Sequence, residues 1–83
     1  MPYHVYAIYS SKLDLIYIGQ SSHIEERISD HNRGYSTFTS RTNDWILIYC
    51  EECDSKKNAL KREKQLKSFK GREFIRNIID KKL

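Results

Sequence analysis

Two short stretches rich in aromatic and β-branched residues, Tyr3-His4-Val5-Tyr6-Ala7-Ile8-Tyr9 and Leu15-Ile16-Tyr17-Ile18-Gly19, stand only five residues apart. Both read as strands. The intervening Ser10-Ser11-Lys12-Leu13-Asp14 suits a β-hairpin with a loop of about 4–5 residues. Gly19 ends the second stretch where the backbone must turn sharply or come close to another group.

Beyond the hairpin, Ser22-His23-Ile24-Glu25 has the spacing of a capping box. It predicts a helix from about residue 23 to Asn32, with Gly34 as its stop. Residues 35–44 are hydroxyl-rich and read as a long loop with room for a helical turn. Trp45-Ile46-Leu47-Ile48-Tyr49-Cys50 is almost continuously apolar, the pattern of a central strand covered on both faces. Asp54-Ser55 opens a helix to about Phe69, Lys70-Gly71 breaks it, and Phe74, Ile75, Ile78 and Ile79 mark a last short helix. The order is β-β-α-β-α-α, an α+β layer fold with the third strand in the middle. At 83 residues and 9.9 kDa, residues 1–83 form one domain with one modest core.

Charge divides the chain. Residues 54–83 carry eleven Lys and Arg against four Asp and Glu, a net +7, while residues 1–53 carry −3. A basic C-terminal third suits contact with phosphates, and equally suits a solvated helix surface. No apolar run approaches the ~20 residues of a membrane span, and Met1-Pro2-Tyr3-His4 lacks the basic start of a secretion signal. Two cysteines supply no disulfide framework, so the expectation is a soluble protein of the reducing cytoplasm. Cys50-Glu51-Glu52-Cys53 has metal-knuckle spacing, but zinc requires two further ligands and no second such pair exists. Gly-rich phosphate loops, HExxH and Ser-His-Asp sets are absent too.

Chemistry shows where a costly residue occupies an apolar position. On the first helix Arg27 and His31 fall within roughly 60° of Ile24, at the edge of the buried stripe. On the second, Glu63 sits inside the stripe of Ala59, Leu60 and Leu66, roughly 40° from Ala59. A carboxylate there must be paired, with Arg27 or a nearby Lys, or must bind a cation. Arg27 and His31 read equally as surface residues with buried stems. Tyr6 and Tyr17, taken singly, read as cross-strand packers.

Together these residues resemble the GIY-YIG nuclease domain. Its first triplet appears as His4-Val5-Tyr6, with His in the Gly place, and its second is intact as Tyr17-Ile18-Gly19. Ile24-Glu25-Glu26-Arg27-Ile28-Ser29-Asp30-His31-Asn32 is similar to the family's arginine-bearing helix. Ala59-Leu60-Lys61-Arg62-Glu63-Lys64-Gln65-Leu66-Lys67 is similar to its metal-glutamate helix. Phe38-Thr39-Ser40-Arg41 and the strand opening at Trp45 resemble the small stand-alone YhbQ-like, UPF0213-type members. The resemblance implies a three-stranded antiparallel sheet flanked by helices, and hydrolysis of DNA, branched or damaged forms included, with one Mg²⁺ or Mn²⁺ held weakly without substrate. A role in DNA repair and a protein partner are within its scope, as is a nucleic-acid-binding module of the same fold that does not cut. It implies Tyr6 and Tyr17 as active-site phenols, Arg27 as the phosphate clamp, His31 as an active-site histidine and Glu63 as the metal ligand. It sets Arg27, Thr39, Arg41, Lys61, Arg62 and Lys67 against the nucleic acid, and leaves Asn77 as the one candidate for an asparagine the family places after the glutamate helix. A free phenol is only ~0.1% ionised at pH 7, so Tyr6 as base needs positive charge or a relay, and His31 is the relay or a rival base.

Overall fold

The structure, a computed structural model, describes residues 2–35 and 38–82. Strand β1 (Tyr3–Ser10) turns through a tight loop into β2 (Leu15–Ser21), with Asp14 at φ 51° closing the hairpin. Helix α1 (Ile24–Asn32) follows, then a short 3₁₀ turn (Thr39–Arg41), β3 (Ile46–Cys53), α2 (Lys56–Leu66) and α3 (Phe69–Lys82). The sheet is antiparallel, in the order β2-β1-β3. The expected loop at 35–44 holds that 3₁₀ turn, and its residues 36 and 37 lie outside the described residues.

The middle strand is therefore β1, not the third strand. Every residue from Val5 to Ser10 is buried, whereas Ile46 and Leu47 of β3 are 45% and 43% exposed. The apolar run 45–50 misleads because β3 bulges: Ala7 faces Tyr49 while Ile8 faces Leu47, so Ile48 is the extra residue. Alternation is broken there, and Ile48 alone of the three aliphatic residues turns into the core.

β1 has two buried faces because helices cover both. Val5, Ala7 and Tyr9 pack with Ile16 and Ile18 against Ala59, Leu66 and Ile75 of α2 and α3. Tyr6 and Ile8 pack with Trp45, Tyr17 and the Ile24/Ile28 stripe of α1. Period-two alternation thus sends Tyr6 and Tyr17 to the α1 side and Tyr3 and Tyr9 to the other.

The helix boundaries differ from expectation in two places. No capping box forms at α1: His23 is the N-cap and makes no side-chain cap, and the Ser22 hydroxyl lies 3.0 Å from His23 Nδ1 instead. The C-terminus behaves as expected, with Gly34 at φ 82°, its N–H on His31 O and the Tyr35 N–H on Asp30 O, a Schellman closure. Helix α2 starts at Ser55, whose hydroxyl accepts from the Asn58 N–H, and it ends at Leu66 rather than near Phe69. The break lies at Lys67-Ser68: the Ser68 hydroxyl donates to Gln65 O and accepts from the Gly71 N–H, capping α3. Gly71 belongs to the first turn of α3 because a Cβ there would lie 2.4 Å from the Leu66 Cα. It is the residue that lets two helices meet almost without a linker. No described helix is long and apolar enough to cross a membrane.

Candidate active site

The hairpin register sets Tyr6 directly opposite Gly19. That pairing makes room for a phenol: a Cβ on Gly19 would lie 2.8 Å from the Tyr6 hydroxyl and 3.1 Å from Tyr17 Cε1. The Tyr6 and Tyr17 rings consequently sit side by side, with centroids 6.4 Å apart. The glycine of the second triplet does not end its strand; β2 continues to Ser21.

Helix α1 supplies the next two groups. His31 is fully buried, its Nε2 2.8 Å from the Tyr6 hydroxyl and its Nδ1 2.6 Å from the Thr39 hydroxyl. Its ring meets Tyr17 edge-on at 4.8 Å between centroids. Burial, and then the Arg27 guanidinium one turn back, lowers the His31 pKa from 6.5 to about 4, so the imidazole is uncharged at neutral pH. The Tyr6 pKa is pushed well above the phenol range, first by burial and then by Tyr17. The positive charge of Arg27 acts in the opposite direction on Tyr6, and the negative charge of Glu63 opposes Arg27. All four expected partners thus act on one phenol.

Glu63 comes from the other side of the sheet. Its side chain is 19% exposed and its Oε2 lies 2.7 Å from the ammonium of Lys67, the residue that ends α2 one turn on. Of the partners considered from the sequence, a lysine holds it and Arg27 does not. Lys67 is itself 47% exposed, so the pair is at the rim of the site rather than sealed in the core. The donor chemistry fits a single hard cation: one carboxylate, at the edge of the fold, that already attracts a positive charge. Among the described residues no group of three or more His, Cys, Asp or Glu could form a closed metal cage.

The remaining expected contacts separate. Thr39, expected at the nucleic-acid surface, is instead fully buried, its hydroxyl on His31 and its carbonyl accepting from Trp45 Nε1 at 2.9 Å. It positions the imidazole. Arg41 is exposed, its guanidinium 5.1 Å above the Phe38 ring centroid. Arg62 is engaged with Glu51 at 3.1 Å and Gln65 at 3.1 Å, and Lys61 lies roughly 160° around α2 from Glu63. Neither borders the Glu63 carboxylate. Asn77 is exposed on α3, and His4 lies 4.0 Å from Glu52, towards β3.

Two supports have no periodic signal and escape sequence inspection. Asn32 brackets Trp45, accepting from its N–H and donating to its carbonyl, which fixes the chain between α1 and β3. Asp44 accepts from the Ser10 and Thr42 hydroxyls and the Lys12 N–H, tying the hairpin loop to the approach to β3, and these bonds hold its pKa far below the usual carboxylate value. Only the run of Asn and Asp around a Trp hints at such knots.

A family model described as the GIY-YIG catalytic domain matches residues 2–77. The chain belongs to the GIY-YIG catalytic-domain family. Its relatives include the UPF0213 proteins of Staphylococcus saprophyticus, 34% identical, and Staphylococcus haemolyticus, 30% identical, each alignment covering 94% of this chain and 96% of the relative. A UPF0213 protein of Natronomonas pharaonis is 27% identical over 93% of this chain and 92% of its own. No solved structure matches. The GIY-YIG triplets of this chain are the two strands that face each other across Tyr6 and Gly19.

Proposed function

We propose that this protein is a divalent-metal-dependent endonuclease that hydrolyses DNA phosphodiester bonds with little sequence preference of its own. The observation that carries the proposal is the buried Tyr6 hydroxyl 2.8 Å from His31 Nε2 with the Tyr17 ring beside it, a phenol whose ionisation also responds to Arg27 and Glu63. Family membership supports the reaction class.

Arg27 has the planar donor fork for two phosphate oxygens and carries the charge that the pentacoordinate transition state gains. A water attacks phosphorus: its O–H bond breaks, a P–O bond forms, and the bond to the leaving oxygen breaks. Tyr6 accepts the water's proton while passing its own to His31 Nε2, and Tyr17 orients the water or the phosphate. His31 suits the relay because it is uncharged, and because Thr39 can accept from Nδ1 while Nε2 receives the proton. In the resting protein the transfer is uphill, with the phenol pKa raised and the imidazole pKa lowered. A bound phosphate neutralises Arg27, one of the two influences that hold His31 down, so substrate itself primes the relay. Glu63 would hold the metal ion, which supplies positive charge at the phosphate and the leaving oxygen. Lys67, which holds that carboxylate in this structure, would then be free to meet a phosphate.

The alternative is a nucleic-acid-binding module that does not cut, favoured by the Lys67–Glu63 pair, which neutralises the carboxylate. Nicking of supercoiled plasmid in Mg²⁺ or Mn²⁺, by wild type, Glu63→Gln and Arg27→Ala shown to be folded, separates the two. Cutting by wild type that falls at least a hundredfold in both variants supports the enzyme. Salt-sensitive binding by wild type without cutting supports the module.

A further inference from the structure

We propose that the groove along the open edge of β2 receives a single-stranded stretch of the DNA substrate, with one unpaired base stacked on Phe38 and another on Phe69. The inference rests on the nuclease function proposed above and adds its substrate class.

Among the described residues β2 pairs with β1 alone, so its outer edge carries no further strand. Two adjoining hollows of about 340 and 530 Å³ run along that edge and share Ile16, Phe38 and Arg72. The first opens at Tyr17 and the second ends at Phe69. Phe38 is 41% exposed and Phe69 is 81% exposed, although burial of a phenylalanine is strongly favourable. Phe69 is the first residue of α3, where the fold needs no aromatic ring. The rings form a path out of the site: His31 to Tyr17 at 4.8 Å, then Tyr17 to Phe38 at 5.7 Å with 30° between the planes. Cations accompany it. Arg41 lies over the Phe38 ring, and Lys67 and Arg72 line the inner hollow. Of the acids in the outer hollow, Asp14 is paired with Arg76 at 2.7 Å, which leaves Glu73.

Partly exposed aromatic rings alternating with cations along a groove are what a single strand needs, because every base has a stacking face and every link a phosphate, and the exposed Arg41 over Phe38 can exchange its ring contact for a phosphate as a base arrives. A paired base is covered on both faces by its neighbours and offers only edges and phosphates. Duplex DNA can therefore use the cations of this groove but not its rings.

The test is fluorescence anisotropy with Glu63→Gln protein, which keeps the DNA intact, on a short single-stranded DNA, a blunt duplex of the same length and the equivalent RNA. The single strand is expected to bind about tenfold or more tightly than the duplex. Phe38→Ala and Phe69→Ala should each weaken single-strand binding about tenfold and duplex binding less than twofold, while Phe38→Tyr retains the affinity. Arg72→Gln should weaken both and flatten the salt dependence. Equal affinity for single strand and duplex, no binding of the single strand, or single-strand affinity untouched by both alanine variants overturns the groove. RNA bound more tightly than DNA overturns the choice of DNA. Ring-dependent binding by a protein that never nicks plasmid removes the nuclease reading and leaves the groove; nicking with ring-independent binding does the reverse.

Discussion

Gly19 stands across the hairpin from Tyr6, and the position its missing Cβ would take lies 2.8 Å from the Tyr6 hydroxyl. The glycine is a cradle for the phenol rather than a turn. Since the clash is with the free end of a side chain, Gly19→Ala can be accommodated by tilting the Tyr6 ring. Alanine also regains about 0.5–1 kcal/mol of strand entropy, so the net loss of stability should stay below about 2 kcal/mol. Displacing the hydroxyl from His31 should lower cleavage about a hundredfold. Urea denaturation and single-turnover cleavage, measured on the same preparation, check the pair of effects.

Removing the hydroxyl alone is the sharper chemical test. Tyr6→Phe keeps the ring in its buried slot but leaves His31 Nε2 without its partner, at a stability cost of about 1–3 kcal/mol. Cleavage should fall by about 10²–10⁴ while DNA affinity, set by cations elsewhere, changes little. Comparison of cleavage rate with binding at matched salt separates the two.

Stability should fall with acid in a defined window. His31 is neutral when folded, with a pKa of about 4 against 6.5 for an unconstrained imidazole, so between these values the unfolded chain binds the extra proton. The contribution is full above about pH 6.5 and is lost as pH falls to 4, a change of about 3 kcal/mol. Asp44, whose pKa is also lowered, loses its contribution only below the ordinary carboxylate value. Thermal melts from pH 7 to 4 should show the slope in wild type, and His31→Gln should flatten it.

Gly71→Ala tests the helix junction away from the Tyr6–His31 pair. Its Cβ would meet the backbone of Leu66 at 2.4 Å and Gln65 O at 2.5 Å, and backbone cannot step aside as a ring can. A loss of about 2–3 kcal/mol, or roughly 10–20 °C in melting temperature, is expected. Thermal melts followed by circular dichroism check it.

The hairpin, the Gly34 helix stop and the Ser55 cap were legible because each rests on local chemistry: alternation, a left-handed residue, a hydroxyl beside free N–H groups. The polar residues at apolar positions, Arg27, His31 and Glu63, marked the candidate site because burying them without partners is costly, and two of them do find partners, His31 on Tyr6 and Glu63 on Lys67. Sheet order was not legible. The run 45–50 looks central until the bulge at Ile48 is known, and a bulge depends on the partner strand. Gly71 was misplaced because one residue type serves two purposes, breaking a helix or admitting a close neighbour, and only the fold selects. Thr39 was missed as a positioning residue because a loop-to-helix hydrogen bond leaves no period.

In the proposed site Glu63 of α2, the two hairpin phenols and Arg27 of α1 border one cation-and-phosphate pocket, and Mn²⁺ broadening of assigned ring resonances reads that arrangement. Substoichiometric Mn²⁺ should broaden the Tyr6 and Tyr17 signals in wild type and leave them sharp in Glu63→Gln. Equal broadening in both proteins, or broadening centred instead on the Glu25, Glu26 and Asp30 side of α1, would contradict it.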